Sequence, residues 1–177
     1  MRSVDAARSE IDVDFFLHGD AGRAAGWALR AEAGDEVGYA GPRTHWSGRN
    51  GAEWSLLVAD ETGLPALLAI LETMPAGHRV TALAEVADDS ERQEVETAAD
   101  LELKWLTRGG RPPGTSPVLA DALTALELPE GPGRVWGGGE AMAMRAVRDE
   151  LGGRGVPRRS MQAMGYWKHD ATPEEMW

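Results

Sequence analysis

Apolar positions along the chain fall into short runs, and stretches of helical character separate them. Ile11-Asp12-Val13-Asp14-Phe15 alternates and continues into Phe16-Leu17, which predicts a strand stopped at His18-Gly19. The alanine-rich stretch Arg23 to Ala33 reads as a short helix closed by Gly34, and Glu36 to Tyr39 as a short strand ended by Gly41-Pro42. Residues 44–53 are polar, with Trp46 their one large apolar side chain, and read as a linker between two domains. Beyond it, Trp54-Ser55-Leu56-Leu57-Val58-Ala59 is nearly continuous in apolar character, as in a strand buried on both faces. A polar turn, Asp60-Glu61-Thr62-Gly63, then leads into a helix from about Leu64 to Met74, with Pro65 in its first turn, where a missing N–H costs nothing.

The same alternation of element types continues. Arg79 to Glu85 and Leu101 to Leu106 read as strands, with an acidic helix or loop, Asp88 to Asp100, between them. A Gly/Pro loop, Gly109 to Pro117, precedes a helix from Val118 to Leu126. Arg134-Val135-Trp136 reads as a short strand running into a glycine turn, Gly137-Gly138-Gly139, followed by a helix from Glu140 to Leu151 that ends at Gly152-Gly153. Met161 to Trp167 is a last strand, and Thr172-Pro173-Glu174-Glu175 has the form of a helix start. Strands alternating with helices predict an α/β domain built on an open parallel sheet.

Composition narrows the chemistry. The chain has 177 residues, a formal net charge of −11 and no cysteine. The acidic balance argues against nucleic acid as a partner, because phosphate backbones require a basic surface. Zero cysteines exclude disulfides, thiolate metal sites and a cysteine nucleophile, and suit a reducing cytoplasm. Neither a signal peptide nor an apolar run of membrane-spanning length is present in the sequence, so a cytoplasmic protein with no membrane insertion is expected. His18, His45, His78 and His169 are scattered without helical spacing, so no metal site is expected. No serine sits in a G-x-S-x-G setting.

In sheets of this kind ligands bind beyond the carboxyl ends of the strands. Two strand-to-helix turns stand there, Asp60-Glu61-Thr62-Gly63 and Gly137-Gly138-Gly139-Glu140. Helix N-termini at such turns suit a nucleotide phosphate. Neither turn carries the full G-x-G-x-x-G fingerprint, since Met142 stands where the third glycine belongs, and simple tight turns fit the pattern equally. Trp27, Trp136 and Trp167 each lie beside a candidate turn, where an indole can stack on a flat heterocycle or simply fill the core.

The wording of the motifs carries further. Asp14-Phe15-Phe16-Leu17-His18-Gly19, Gly22, Trp27-Ala28, Gly34-Asp35 and Gly41-Pro42, followed by Ala59-Asp60-Glu61-Thr62-Gly63-Leu64-Pro65-Ala66, Gly139-Glu140-Ala141 and Gly165-Tyr166-Trp167-Lys168, resemble the siderophore-interacting protein family in wording and order. The resemblance implies a ferredoxin-reductase-like architecture: an FAD-binding β-barrel, then an NAD(P)H-binding domain of open parallel sheet flanked by helices. It implies FAD and NADPH or NADH as cofactors, a ferric siderophore as substrate, and reduction of Fe(III) to release Fe(II). It divides the chain into a remnant of the barrel domain at 1–43, a linker at 44–53 and the nucleotide domain at 54–177. Carried over by motif, His18, Gly19, Gly22 and Trp27 are flavin-side residues. Asp60, Glu61 and Thr62 form the turn where flavin and nicotinamide meet, Gly139 and Glu140 form the second nucleotide turn, and Tyr166 and Trp167 lie near the flavin edge. Arg43 and Lys168 are the candidates for contact with an anionic ferric chelate.

The chain departs from that family in one large respect. The family's R-x-Y-T motif, whose arginine and tyrosine grip FAD, precedes the segment that opens this chain, and Met1-Arg2 falls at the two residues that follow it. Two expectations stand side by side: a full reductase of which this is the C-terminal part, or a nucleotide- or partner-binding module without its own flavin. Gly63 in place of alanine and Arg23 in place of proline are small departures expected to be tolerated.

Overall fold

The computed structural model describes residues 2–17, 23–38, 46, 48 and 51–170. The chain divides into two compact units, Met1–His45 and Trp46–Trp177.

In the first unit, β1 (Ser3–Asp5) and β2 (Glu10–Asp12) form an antiparallel hairpin in which Val4 faces Ile11. The Asp5 carboxylate closes the turn by accepting from the N–H groups of Ala7 and Arg8 at 3.0 and 3.1 Å. The strand expected over Ile11 to Leu17 is therefore much shorter, because a strand persists only where a neighbour takes its hydrogen bonds, and β1 is three residues long. Helix α1 (Arg23–Ala28) stops well before Ala33, and residues 36–38 are irregular where a strand is expected. The Phe15 and Trp27 rings lie 5.7 Å apart. Val4, Ile11, Val13, Phe15, Leu17 and Val37 all remain exposed.

The second unit carries the core. Its five strands are β3 (Trp54–Ala59), β4 (Arg79–Val86), β5 (Asp100–Thr107), β6 (Gly133–Glu140) and β7 (Met161–Trp167), all parallel, in the order β5-β4-β3-β6-β7. Every residue of β3 is buried, as its continuous apolar run requires of a central strand. Leu57 and Ala59 pack with Trp136 against α2 (Leu64–Glu72). Leu56 and Val58 pack on the other face with Leu83 and Val135 against α3 (Val118–Ala125) and α4 (Ala141–Gly153). At the start of β3, the Ser55 hydroxyl and the His78 Nε2 satisfy each other at 2.9 Å, so this buried histidine has a structural explanation.

Two expectations change here. Gly137, Gly138 and Gly139 do not form a turn; they are the last part of β6, paired with β3 and β7. Their lack of side chains lets neighbours close in. A Cβ on Gly137 would meet Met144 Sδ at 3.0 Å, and one on Gly139 would meet the Asp60 carboxylate at 2.8 Å. Helix α4 also runs through Gly152-Gly153 rather than ending before them. The acidic stretch after β4 holds one short 3-10 turn, Asp89–Glu91, and is otherwise irregular up to β5. The helix start expected at Thr172 lies outside the described residues. Among the described residues, no helix is long and apolar enough to cross a membrane.

Candidate functional site

Strand order determines where a site can form. Chain connection runs outward from β3 in one direction to β4 and β5, then returns to β6 and β7 on the other side. The reversal leaves a crevice between the carboxyl ends of β3 and β6, the position at which open α/β sheets hold ligands. Asp60 follows β3 at this point and Glu140 ends β6.

Asp60 is the hub. Its Oδ1 accepts from the Thr62 N–H at 2.9 Å, the Thr62 hydroxyl at 2.6 Å and the Gly63 N–H at 3.3 Å. Its Oδ2 accepts from the Glu140 N–H and from the Trp167 indole N–H, both at 2.8 Å. One buried carboxylate thus ties together the ends of β3, β6 and β7. With its oxygens so occupied, Asp60 holds geometry and does not stand ready as a base.

Glu140 works in a related way. Its Oε2 caps α4 by accepting from the Met142 and Ala143 N–H groups at 2.6 and 2.8 Å, and its Oε1 accepts from the His169 N–H at 3.2 Å. The Thr62 and Gly63 N–H groups ahead of α2 and the Met142 and Ala143 N–H groups at the start of α4 are therefore satisfied by Asp60 and Glu140.

A second cluster lies one strand over. Arg108, just past β5, is buried and ion-paired with Glu61, with Glu85 of β4 3.8 Å away. Burial pushes the Glu85 carboxyl up to about 7, against the pull of Arg108, and raises Glu61 in the same direction. Tyr166 is 44% exposed; partial burial, then the nearby Asp60 charge, raise its phenol above the ordinary value, so it is neutral at pH 7.

Between α3 and α4, and reaching these strand ends, runs a cleft of about 590 Å3. Leu119, Leu123, Met144 and Val147 line its apolar part, and Glu85 and Asp149 are among its acidic lining. Gly114, at φ +75°, presses the Gly/Pro loop against this site: a Cβ there would meet Trp167 at 3.0 Å and Glu140 at 3.2 Å.

Of the residues singled out from sequence, Asp60, Glu61, Thr62, Gly139, Glu140, Tyr166 and Trp167 come together at these strand ends. Lys168 follows β7 directly and is exposed. Trp27 belongs to the first unit, while His18, Gly19, Gly22 and Arg43 lie outside the described residues. Sequence reasoning missed Glu85 and Arg108. Each sits at the carboxyl end of a strand in a parallel sheet, and that position was the available signal.

The fold and this crevice define a ferredoxin-reductase-like α/β domain. The family model described as siderophore-interacting protein matches residues 52–170, and that of the siderophore-interacting FAD-binding domain matches residues 1–46; the chain belongs to the siderophore-interacting protein family. It is 31% identical over 177 residues to the ferric vibriobactin reductase ViuB of Vibrio cholerae, covering 98% of this chain and 65% of that protein. It is 29% identical over 166 residues to an NADPH-dependent ferric-chelate reductase of Escherichia coli, covering 92% and 63% respectively. Among solved structures, a siderophore utilization protein from T. fusca superposes with a TM-score of 0.81 at 36% identity, covering 97% of this chain and 65% of that one. The siderophore-interacting protein SipS from Aeromonas hydrophila gives 0.80 at 31% identity, covering 95% and 70%. The chain thus spans about 65% of the length of the first curated relatives it matches.

Proposed function

We propose that this chain supplies the nicotinamide-nucleotide domain, and part of the flavin-binding domain, of a flavin-dependent ferric-siderophore reductase. Residues 1–43 are then the barrel portion, 44–53 the linker and 54–177 the nucleotide domain. The observation that carries the reading is the sheet order, which sets Asp60, Glu140, Tyr166 and Trp167 at one switch point within a chain of this family.

The donor set fits a flat, neutral ring system. Tyr166 offers an exposed, uncharged phenol, and Trp167 is held at a defined angle by its bond to Asp60. Bound flavin would supply the redox step, taking hydride from a reduced nicotinamide and passing single electrons to a ferric chelate. The chain's own residues position: Asp60 holds the ends of three strands in register, and Gly114 keeps its loop close over Trp167. Lys168, exposed beside β7, and Arg43 are the proposed contacts for an anionic chelate, and His18, Gly19, Gly22 and Trp27 those for flavin. The ferric-reductase names of the relatives support the substrate class.

The test is the visible spectrum of the purified 177-residue protein after incubation with FAD and desalting. Retained flavin, followed by NADH- or NADPH-dependent reduction of a ferric chelate, is the expected result. A second reading, a nucleotide- or partner-binding module without its own flavin, draws support from the exposed Val4, Ile11, Val13, Phe15 and Leu17. A colourless protein that still binds a dinucleotide is the outcome that selects it.

A further inference from the structure

We propose that the cleft between α3 and α4 is a binding site for a small organic cation, with an apolar body seated between the two helices and a protonated amine bonded to Glu85. This site stands apart from the nucleotide reading, which rests on the crevice between β3 and β6. The volume, about 590 Å3, is that of a small-molecule pocket. Its floor is apolar: Leu119 and Leu123 come from α3, and Met144 and Val147 from α4.

The carboxylates around the cleft differ in what they have left to offer. Asp60 and Glu140 have both oxygens occupied, by backbone N–H groups and, for Asp60, the Trp167 indole. Asp149 and Glu150 stand on α4 within 4.0 Å of Arg145 and Arg154 respectively. Glu85 is the exception. Its side chain is 7% exposed, it lines the cleft, and among the described residues it accepts no hydrogen bond. The cation beside it, Arg108 Nη1, is 3.8 Å away and bonds directly to Glu61 instead. A buried carboxylate whose acceptor positions go unused is unfavourable, and a ligand N–H group entering from the cleft relieves it. Burial accordingly pushes this carboxyl up to about 7.

Charge decides the class of occupant. Among the described residues, no lysine or arginine lines the cleft. An anion meets like charge there, and a neutral apolar ligand leaves Glu85 as it was. An ammonium group supplies three donors and the opposite charge, while its hydrocarbon covers the apolar floor.

Calorimetric titration of the 177-residue protein with phenethylamine, phenethyl alcohol and hydrocinnamate, similar in body and different in charge, tests this. The amine is expected to bind roughly tenfold tighter than the alcohol, the worth of a charge-assisted bond, and the carboxylate not to bind. The charged groups facing Glu85 are Arg108 beyond β5, Glu61 and Asp60 from the turn after β3, and, across the cleft, Glu140, Asp149 and Glu150. Amine binding should strengthen by roughly tenfold from about pH 6 to about pH 8 as Glu85 ionises among them. Glu85→Gln should abolish both the preference and its pH dependence. Ala146→Phe, at an exposed position of α4 that lines the cleft, should block the amine with the fold intact, and it serves where Glu85→Gln does not fold. Equal binding of amine and alcohol, tighter binding of the carboxylate, or an amine affinity unchanged in Ala146→Phe overturns the proposal.

Discussion

The indole N–H of Trp167 donates to Asp60 Oδ2 at 2.8 Å, joining two residues 107 positions apart in the sequence. The same oxygen accepts from the Glu140 N–H at 2.8 Å, so the last strand of the sheet and the start of α4 share one acceptor. Trp167→Phe keeps an aromatic side chain, though a smaller one, and removes the donor. A loss of about 1 kcal/mol in unfolding free energy is expected, the usual net worth of one such bond, and urea denaturation measures it. Asp60→Asn should cost more, because the new amide group presents N–H where the backbone also offers N–H.

Glu140 closes the N-terminus of α4 with its own carboxylate. Glu140→Ala should destabilise by about 1–2 kcal/mol through loss of the cap. It should also free the Met142 and Ala143 N–H groups to meet an anion. Thermal melts in increasing phosphate would then show the variant stabilised more than the unaltered protein; equal slopes would speak against the capping account.

A Cβ on Gly63 would stand 2.1 Å from the Gly138 carbonyl oxygen, a backbone atom with no side-chain freedom to yield. Gly63→Ala should therefore cost about 1–3 kcal/mol, the range for overpacking a tight contact, although alanine is the residue the family resemblance places here. A melting temperature at or above that of the unaltered protein would contradict the close approach of the Asp60–Gly63 turn to β6.

Glu85 carries a pH dependence whose sign is fixed by its raised value. Its carboxyl is pushed from 4.5 to about 7 in the folded chain, so between those pH values the folded state holds a proton that the unfolded state has lost. Stability from this group falls as pH rises from 4.5 towards 7 and levels off above it. Glu61, raised in the same direction, adds to the trend. Glu85→Gln should flatten this part of the stability profile, which melts at a series of pH values would display.

Element type in the second unit was legible because burial and periodicity agree locally. Trp54 to Ala59 is apolar throughout and became the central strand; Met161 to Trp167 became the last one. Pro65 entered the first turn of α2, as its missing N–H allows. Gly137 to Gly139 misled because glycine is equally at home in a turn and where another group crowds the backbone. In the first unit the alternation of Ile11 to Leu17 was visible, but alternation does not supply the neighbouring strand that would pair with it.

The sequence by itself determined the α/β class, the family and the residues of two candidate turns, because each is written in contiguous motifs. Only the tertiary structure decided that the glycine segment is the end of β6 and that it meets the Asp60–Gly63 turn at one place. Strand order brought the ends of β3, β6 and β7 together around Asp60, and it set Glu85 and Arg108 beside them from separate parts of the chain. It also decided that the Glu140 carboxylate caps α4 and that the Asp60 carboxylate takes the Thr62 and Gly63 N–H groups ahead of α2. Hydrogen bonds and ion pairs are made within a few ångströms in space, and sequence spacing does not encode that distance once the chain has crossed the sheet.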